Sequence, residues 1–236
     1  MMHDPSKSSE RALVEAIRAI YSSHRERLRE LKQEAIRTGA GPESLWEGLV
    51  RSAGTWGNAS AGLKLMRTPG FHKQLGWRAL AALGDRAREA RMLAALKRAG
   101  CRWPNRKARF LANSWARLKE MGGPGAAKRK LDSVPGRDGK IKFLLQFQGV
   151  GQKYARNMMM DGYHPDFRDS IAIDIRITEV LRKLGLPSTY PDAERFLVSA
   201  AHKAGLEGWE ADRLLFLYKD EVLGRLQATS GAKRMS

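Results

Sequence analysis

A lysine and an aspartate that could form a reactive pair stand in the second half of the chain. Lys153 closely follows two glycines, Gly149 and Gly151. That pattern is typical of a tight glycine turn that opens into a helix, whose first N–H groups form a site for an anion. Asp174 stands 21 residues after the lysine, inside an apolar run where a new helix begins. An amine, a partly buried carboxylate and a phosphate-binding turn together predict chemistry on a nucleic acid.

The composition favours a polyanionic partner. The 236 residues include 43 lysines and arginines against 25 aspartates and glutamates, a formal net charge of +18. So large an excess suits nucleic acid and predicts binding that weakens as salt is added. A solubilising surface is the simpler alternative.

The sequence excludes several other kinds of site. Cys101 is the only cysteine, which excludes a disulfide framework, a zinc site of several thiolates and a four-cysteine iron–sulfur cluster. The five histidines are scattered without the spacing of metal ligands. No run of 18 apolar residues occurs and the N-terminus is polar, so we expect a soluble intracellular protein.

The elements that must position Lys153 and Asp174 are helices. Apolar residues recur at spacings of three and four along most of the chain, which predicts an all-α fold. Residues 122–140 are rich in glycine, proline and basic residues, and they predict an irregular connector in front of the glycine turn. After the turn, helices are expected at 175–184, 191–204 and 209–222.

The turn, its lysine and the later aspartate together resemble the helix-hairpin-helix DNA glycosylases, the superfamily of endonuclease III and the 8-oxoguanine glycosylases. The segment from Gly100 to Leu111 is similar to that family's intercalating loop. The resemblance implies two helical subdomains flanking a DNA-binding cleft. The expected parts are an N-terminal helix at 1–43 that packs with the C-terminal subdomain, a six-helix subdomain at 44–162 ending in the helix-hairpin-helix, a C-terminal subdomain at 163–229, and a disordered tail at 230–236.

The resemblance implies a bifunctional DNA glycosylase and abasic-site lyase of base excision repair. Such an enzyme flips a damaged base out of the duplex. A carboxylate stabilises positive charge on the deoxyribose, and an amine forms a Schiff base that leads to β-elimination. By resemblance Lys153 is the nucleophile and Asp174 the carboxylate. Taken alone, Lys153 could instead contact phosphate and Asp174 could be a helix N-cap; Asp166 and Asp169 are rival carboxylates.

The same resemblance assigns residues to DNA binding. Trp103 as the wedge that fills the gap in the duplex competes with Trp103 as a core residue. The residues expected at the DNA backbone are Gly149, Val150, Gly151, Gln152, Lys107 and Arg109, and those expected to intercalate are Trp103, Asn105 and Asn58.

The C-terminal segment suggests the substrate. Residues 210–217 resemble the final helix of the archaeal-type 8-oxoguanine glycosylases, in which an aspartate and an aromatic residue one turn later line the base pocket. Asp212 and Phe216 are therefore expected in the pocket, with 8-oxoguanine as the preferred base. Trp56 is also expected to line the pocket. An ordinary amphipathic helix with Asp212 exposed is the alternative.

The implied partner is double-stranded DNA that contains a damaged base or an abasic site, bound by a monomer away from any membrane. The chemistry needs no cofactor, although the hairpin could hold a monovalent cation together with phosphate. The chain departs from endonuclease III in lacking the cysteines of an iron–sulfur cluster. Three alternatives stay open: a glycosylase for oxidised pyrimidines, a monofunctional glycosylase, which usually lacks the lysine, and a non-catalytic DNA-binding protein.

Overall fold

The computed structural model describes residues 5–68, 70–186 and 189–232. All the regular elements in these ranges are helices, which confirms the all-α prediction. No helix among these residues is long and apolar enough to cross a membrane. In chain order the helices are α1 (Pro5–Gly39), α2 (Ser44–Thr55), α3 (Ala59–Arg67), α4 (Phe71–Leu75), α5 (Trp77–Ala81), α6 (Asp85–Arg98), α7 (Pro104–Glu120), α8 (Pro124–Ser133), α9 (Gly136–Leu144), α10 (Gln152–Met160), α11 (Ile175–Lys183), α12 (Tyr190–Ala204), α13 (Gly208–Leu217) and α14 (Lys219–Ala232), with a 3-10 turn at Pro165–Phe167.

The chain divides into two compact units. The central unit is Thr38–Met158, and the split unit combines Met1–Arg37 with Met159–Ser236. Helix α1 therefore belongs to the same unit as the C-terminal helices. Helix α14 continues to Ala232, so the tail expected from residue 230 begins as helix; residues 233–236 lie outside the described residues.

Helix α1 contributes one buried apolar face to the split unit. The buried apolar face of α1 includes Leu13, Ile17 and Ile20, each 0% exposed. The helix bends at His24, whose φ of −124° and ψ of 19° are not helical. At this bend the His24 ring stacks on Tyr218 with 3.6 Å between ring centroids. The contact joins the middle of α1 to the C-terminal end of α13.

Residues 122–140 of the central unit are mostly helical, which corrects the connector prediction. Pro124 stands in the first turn of α8, where its missing N–H removes no hydrogen bond. Gly123 before it has a φ of 96°, and Pro135 directly precedes α9. The turn-forming residues thus mark helix starts, and the unit holds more helices than the expected six.

Lys107 is a structural residue of the central unit. Its side chain is 0% exposed, and Nζ donates to the carbonyl oxygens of Gly54 (3.3 Å) and Trp56 (2.6 Å) at the C-terminal end of α2. Burial lowers the pKa of Lys107. The phosphate contact predicted for Lys107 is therefore wrong, because the ammonium group points into the protein and binds α7 to α2.

We predict that Lys107→Met lowers the free energy of unfolding by about 2 kcal/mol, because it leaves two carbonyl groups without their charged donor. Urea denaturation followed by circular dichroism measures this. Arg109→Met is the matched control, since Arg109 is exposed on the same helix and should change stability by less than about 0.5 kcal/mol. Equal stability of the two variants would contradict the assigned role of Lys107.

Candidate functional site

The glycine hairpin has two glycines with different environments. At Gly149 φ is 86°, and an added Cβ would lie 2.5 Å from Cδ2 of Phe110. The amide of Val150 donates to the carbonyl oxygen of Phe147 (3.1 Å) and closes the turn. Gly151 is exposed, and the space around an added Cβ is open. Packing therefore requires glycine at 149, whereas Gly151 leaves the backbone open to a ligand.

Helix α10 begins directly after Gly151. The first-turn N–H groups of a helix lack partners within it and favour an anion, so Gln152 and Lys153 occupy the predicted phosphate site. The Lys153 side chain is half-buried, with Nζ 4.6 Å from the ring centroid of Tyr154. Arg156 is buried and turns back to donate to Oε1 of Gln152 (2.7 Å).

Helix α7 supports the hairpin. Nδ2 of Asn113 donates to Oε1 of Gln148 (2.6 Å). Phe110, which covers Gly149, stacks with Trp56 at 6.0 Å between ring centroids. The Trp56 ring lies 5.1 Å from the ring of Trp103. A continuous aromatic row thus runs from the hairpin to the loop predicted to intercalate, all within the central unit.

Trp103 is not a core residue, because it is 52% exposed. It stands at the N-cap of α7 with a φ of 50°, a left-handed conformation that is uncommon for a bulky residue. Its ring packs on Gly57, where an added Cβ would lie 2.6 Å from Cζ3. Asn105 is exposed in the first turn of α7, and Asn58 caps α3. Intercalation by these residues stays a prediction.

Asp174 is the N-cap of α11, which was the alternative to its catalytic role in the sequence analysis. Its Oδ1 accepts from the amides of Arg176 (2.9 Å) and Ile177 (3.1 Å). Capping fixes the side chain but engages only Oδ1 in these bonds, so it is compatible with a catalytic role for Oδ2. The rival Asp169 binds His202 (2.7 Å) and the amide of Gly208 (3.2 Å) through its Oδ1.

Asp212 is buried, which contradicts the alternative of an exposed position. It is 2% exposed, and Oδ1 accepts from the amide of Ala172 (2.8 Å). Burial raises the pKa of Asp212 to about 6, against the opposing effect of Arg213, whose Nη1 lies 3.4 Å from Oδ2. One turn later, the half-buried Phe216 ring carries the guanidinium of Arg176 at 4.5 Å from its centroid.

The predicted site residues fall into two groups. The hairpin, Lys153, Trp56 and the intercalating residues belong to the central unit, and Arg109 is exposed there on α7. Asp174, Asp212 and Phe216 belong to the split unit. Sequence reasoning missed Tyr190 and Glu194, whose side chains bond the backbone in front of Asp174. The only sequence feature that could have indicated a role for them was Glu194, a glutamate within the apolar stripe of α12.

We predict that the Asp212 carboxyl makes stability fall as pH rises. Its folded-state pKa of about 6 lies above the ordinary 3.8, so the folded protein binds more protons than the unfolded chain between these values. Asp212→Asn retains an oxygen for the Ala172 amide and removes the titration. Relative to this variant, the wild-type free energy of unfolding should decrease between about pH 4 and pH 7. Urea denaturation across this range measures it, and a constant difference would contradict the prediction.

No protein-family model matches the sequence, and no curated protein matches it. Solved structures do match. The 8-oxoguanine glycosylase/lyase of Methanocaldococcus jannaschii, in complex with a 15mer DNA containing 8-oxoguanine, is 18% identical with a TM-score of 0.68, over 86% of this chain and 94% of that chain. The 8-oxoguanine DNA glycosylase of Thermotoga maritima is 17% identical with a TM-score of 0.66, over 88% of this chain and 95% of that chain.

These similarities extend over most of both chains and are not limited to the hairpin. At such identities they establish the fold. They confirm the fold that was predicted by resemblance from the hairpin, its lysine and the later aspartate. The chain has the fold of the helix-hairpin-helix DNA glycosylases.

Proposed function

We propose that this protein is a bifunctional DNA glycosylase and abasic-site lyase of base excision repair, with 8-oxoguanine as its preferred base. The observation that carries the proposal is the position of Lys153. It lies in the first turn of α10, two residues after the exposed Gly151, in a chain with the fold of 8-oxoguanine glycosylases. The start of α10 is suited to bind a phosphate of DNA. The Lys153 amine therefore lies where a DNA strand would be held.

DNA binding in this proposal relies on the hairpin backbone and on charge. The N–H groups at the start of α10 bind a phosphate. The net charge of +18 supplies the attraction that is independent of sequence. The exposed Trp103 enters the duplex where the damaged base has been flipped out.

The chemistry divides between two side chains. As the base leaves, the deoxyribose gains positive charge, and the Asp174 carboxylate stabilises it. The Lys153 amine attacks the anomeric carbon as the base departs with the electrons of its bond to the sugar, and the sugar ring then opens to give a Schiff base. Loss of a proton from C2′ expels the 3′ phosphate by β-elimination and breaks the strand. The protein needs no cofactor for these steps.

The proposed base preference rests on Asp212 and Phe216 and on the substrate of the similar enzymes. 8-Oxoguanine carries an N7–H donor that guanine lacks, and a carboxylate oxygen can accept it. Oδ1 of Asp212 already accepts from Ala172, so this role falls to Oδ2. Arg176 covers one face of the Phe216 ring, so a flipped base would stack on the opposite face.

The test is an incision assay on duplexes that contain 8-oxoguanine, thymine glycol, dihydrouracil or a preformed abasic site, with borohydride present. We expect 8-oxoguanine to be released fastest and a covalent protein–DNA adduct to form. Lys153→Gln should abolish the adduct and retain DNA binding. Lys142→Gln, which changes an exposed lysine on α9, should leave the adduct unchanged.

Different failures have different meanings. An undiminished adduct in Lys153→Gln would place the nucleophile elsewhere. Excision without any adduct would indicate a monofunctional glycosylase. Cleavage of pyrimidine lesions alone would favour an endonuclease III-like substrate range, and DNA binding without excision of any lesion would contradict the proposed function.

We predict that Gly151→Val weakens binding to a stable abasic-site analogue at least roughly tenfold without lowering the melting temperature, because the side chain obstructs phosphate but meets open space in the protein. Fluorescence anisotropy and thermal denaturation measure the two quantities. Gly224→Val is the matched control, since Gly224 is also exposed with open space around it. Wild-type affinity in Gly151→Val would exclude the hairpin as the main DNA anchor.

A further inference from the structure

The segment 170–173, directly before Asp174, is an irregular stretch whose backbone is bonded by side chains. It forms no regular element, and Ser170, Ile171 and Ala172 are buried. Buried backbone amides are costly when they lack partners. Three consecutive amides donate to three different side chains: Ile171 to Oε1 of Glu194 (3.2 Å), Ala172 to Oδ1 of Asp212 (2.8 Å) and Ile173 to the hydroxyl oxygen of Tyr190 (3.1 Å).

Tyr190 holds this segment at two points. Its hydroxyl accepts from the amide of Ile173 and donates to the carbonyl oxygen of Ile171, each at 3.1 Å. One hydroxyl therefore fixes two backbone groups that are two residues apart. Tyr190 is the first residue of α12, and Pro191 follows it in the first turn, where the fixed φ of proline suits a helix.

Glu194 lies one turn further along α12. It is only 4% exposed, although it stands between the buried apolar residues Ala193 and Leu197. A glutamate in a buried stripe is unfavourable unless its oxygens are bonded. The Ile171 amide supplies such a bond. The buried amide thus gains an acceptor, and the buried carboxyl group gains a donor.

The bonded segment leads directly into Asp174. On its N-terminal side the backbone is held by α12 and α13, and on its C-terminal side Oδ1 caps α11. All of these residues belong to the split unit. The place of the carboxylate is thus fixed from both directions, as a charge-stabilising group requires.

We propose that Tyr190 and Glu194 are positioning residues for base excision, which act by holding the backbone that carries Asp174. The inference rests on the proposed function. Asp212 contributes the third bond, but it is also assigned to the base pocket. A substitution of Asp212 would therefore not distinguish a positioning role from a role in base recognition. Tyr190 and Glu194 have no assigned contact with DNA.

The test measures single-turnover excision of 8-oxoguanine and, separately, affinity for an abasic-site analogue. Tyr190→Phe removes both hydroxyl bonds and should slow excision roughly tenfold, since small displacements of catalytic groups cost this much or more. Affinity should stay within about twofold. Glu194→Ala should slow excision similarly, whereas Glu194→Gln keeps an acceptor oxygen and should restore most of the rate.

The matched control is Tyr163→Phe. Tyr163 also lies in the split unit, and its hydroxyl donates to Oε2 of Glu207 (2.6 Å). Removal of this hydroxyl breaks a comparable hydrogen bond away from the Asp174 segment. The control should therefore leave the excision rate unchanged even if it lowers the melting temperature.

A double-mutant cycle then tests whether Tyr190 acts through Asp174. Tyr190→Phe should slow the wild-type enzyme but have little further effect in an Asp174→Asn background, because residues that share one function are not additive. Equal slowing in both backgrounds, or wild-type rates in folded Tyr190→Phe and Glu194→Ala, would overturn the inference. The proposed function fails separately, if the wild-type protein excises none of the lesions.

Discussion

The packing of the Gly149 turn on Phe110 is the contact on which the candidate DNA-binding surface depends. Only a residue without a side chain fits there, and the ring that occupies the space belongs to α7. The same helix carries Trp103 at its start and Lys107 in its first turn, with the lysine bound to the end of α2. One helix therefore sets the hairpin, the exposed tryptophan and the loop after α2 in a fixed arrangement.

In the split unit, a different interaction holds the backbone: buried acidic side chains accept hydrogen bonds from backbone amides. Glu194 and Asp212 are almost fully buried on α12 and α13, and each accepts from a backbone amide of the irregular segment 170–173. In a sheet, a neighbouring strand would supply these acceptors. Here side chains of helices α12 and α13 supply the acceptors. They hold the backbone of an irregular segment in place without a neighbouring strand.

The parts of this structure that could be predicted are those that depend on local sequence. Apolar spacing indicated the helices, and two glycines before a lysine indicated the hairpin. Local patterns also misled: the glycines and prolines of 122–140 predicted a connector, although Pro124 begins α8 and Pro135 directly precedes α9. Lys107 was assigned to phosphate because sequence gives its charge but not its burial. Tyr190 and Glu194 were missed because their partners are backbone amides, which leave no trace in side-chain spacing.

The bent helix α1 has a consequence for the synthesis of the protein. The helix shares a unit with residues 159–236 and contacts them through His24 and Tyr218 and through Glu10 and Ser199, whereas the central unit is a continuous segment. During translation the central unit can fold as soon as it emerges, but α1 must wait for the last helices to be made. Joining segments so distant in sequence also carries an entropic cost of loop closure. Folding of the central unit first would shorten that loop, so the nascent chain should acquire its two units in a fixed order.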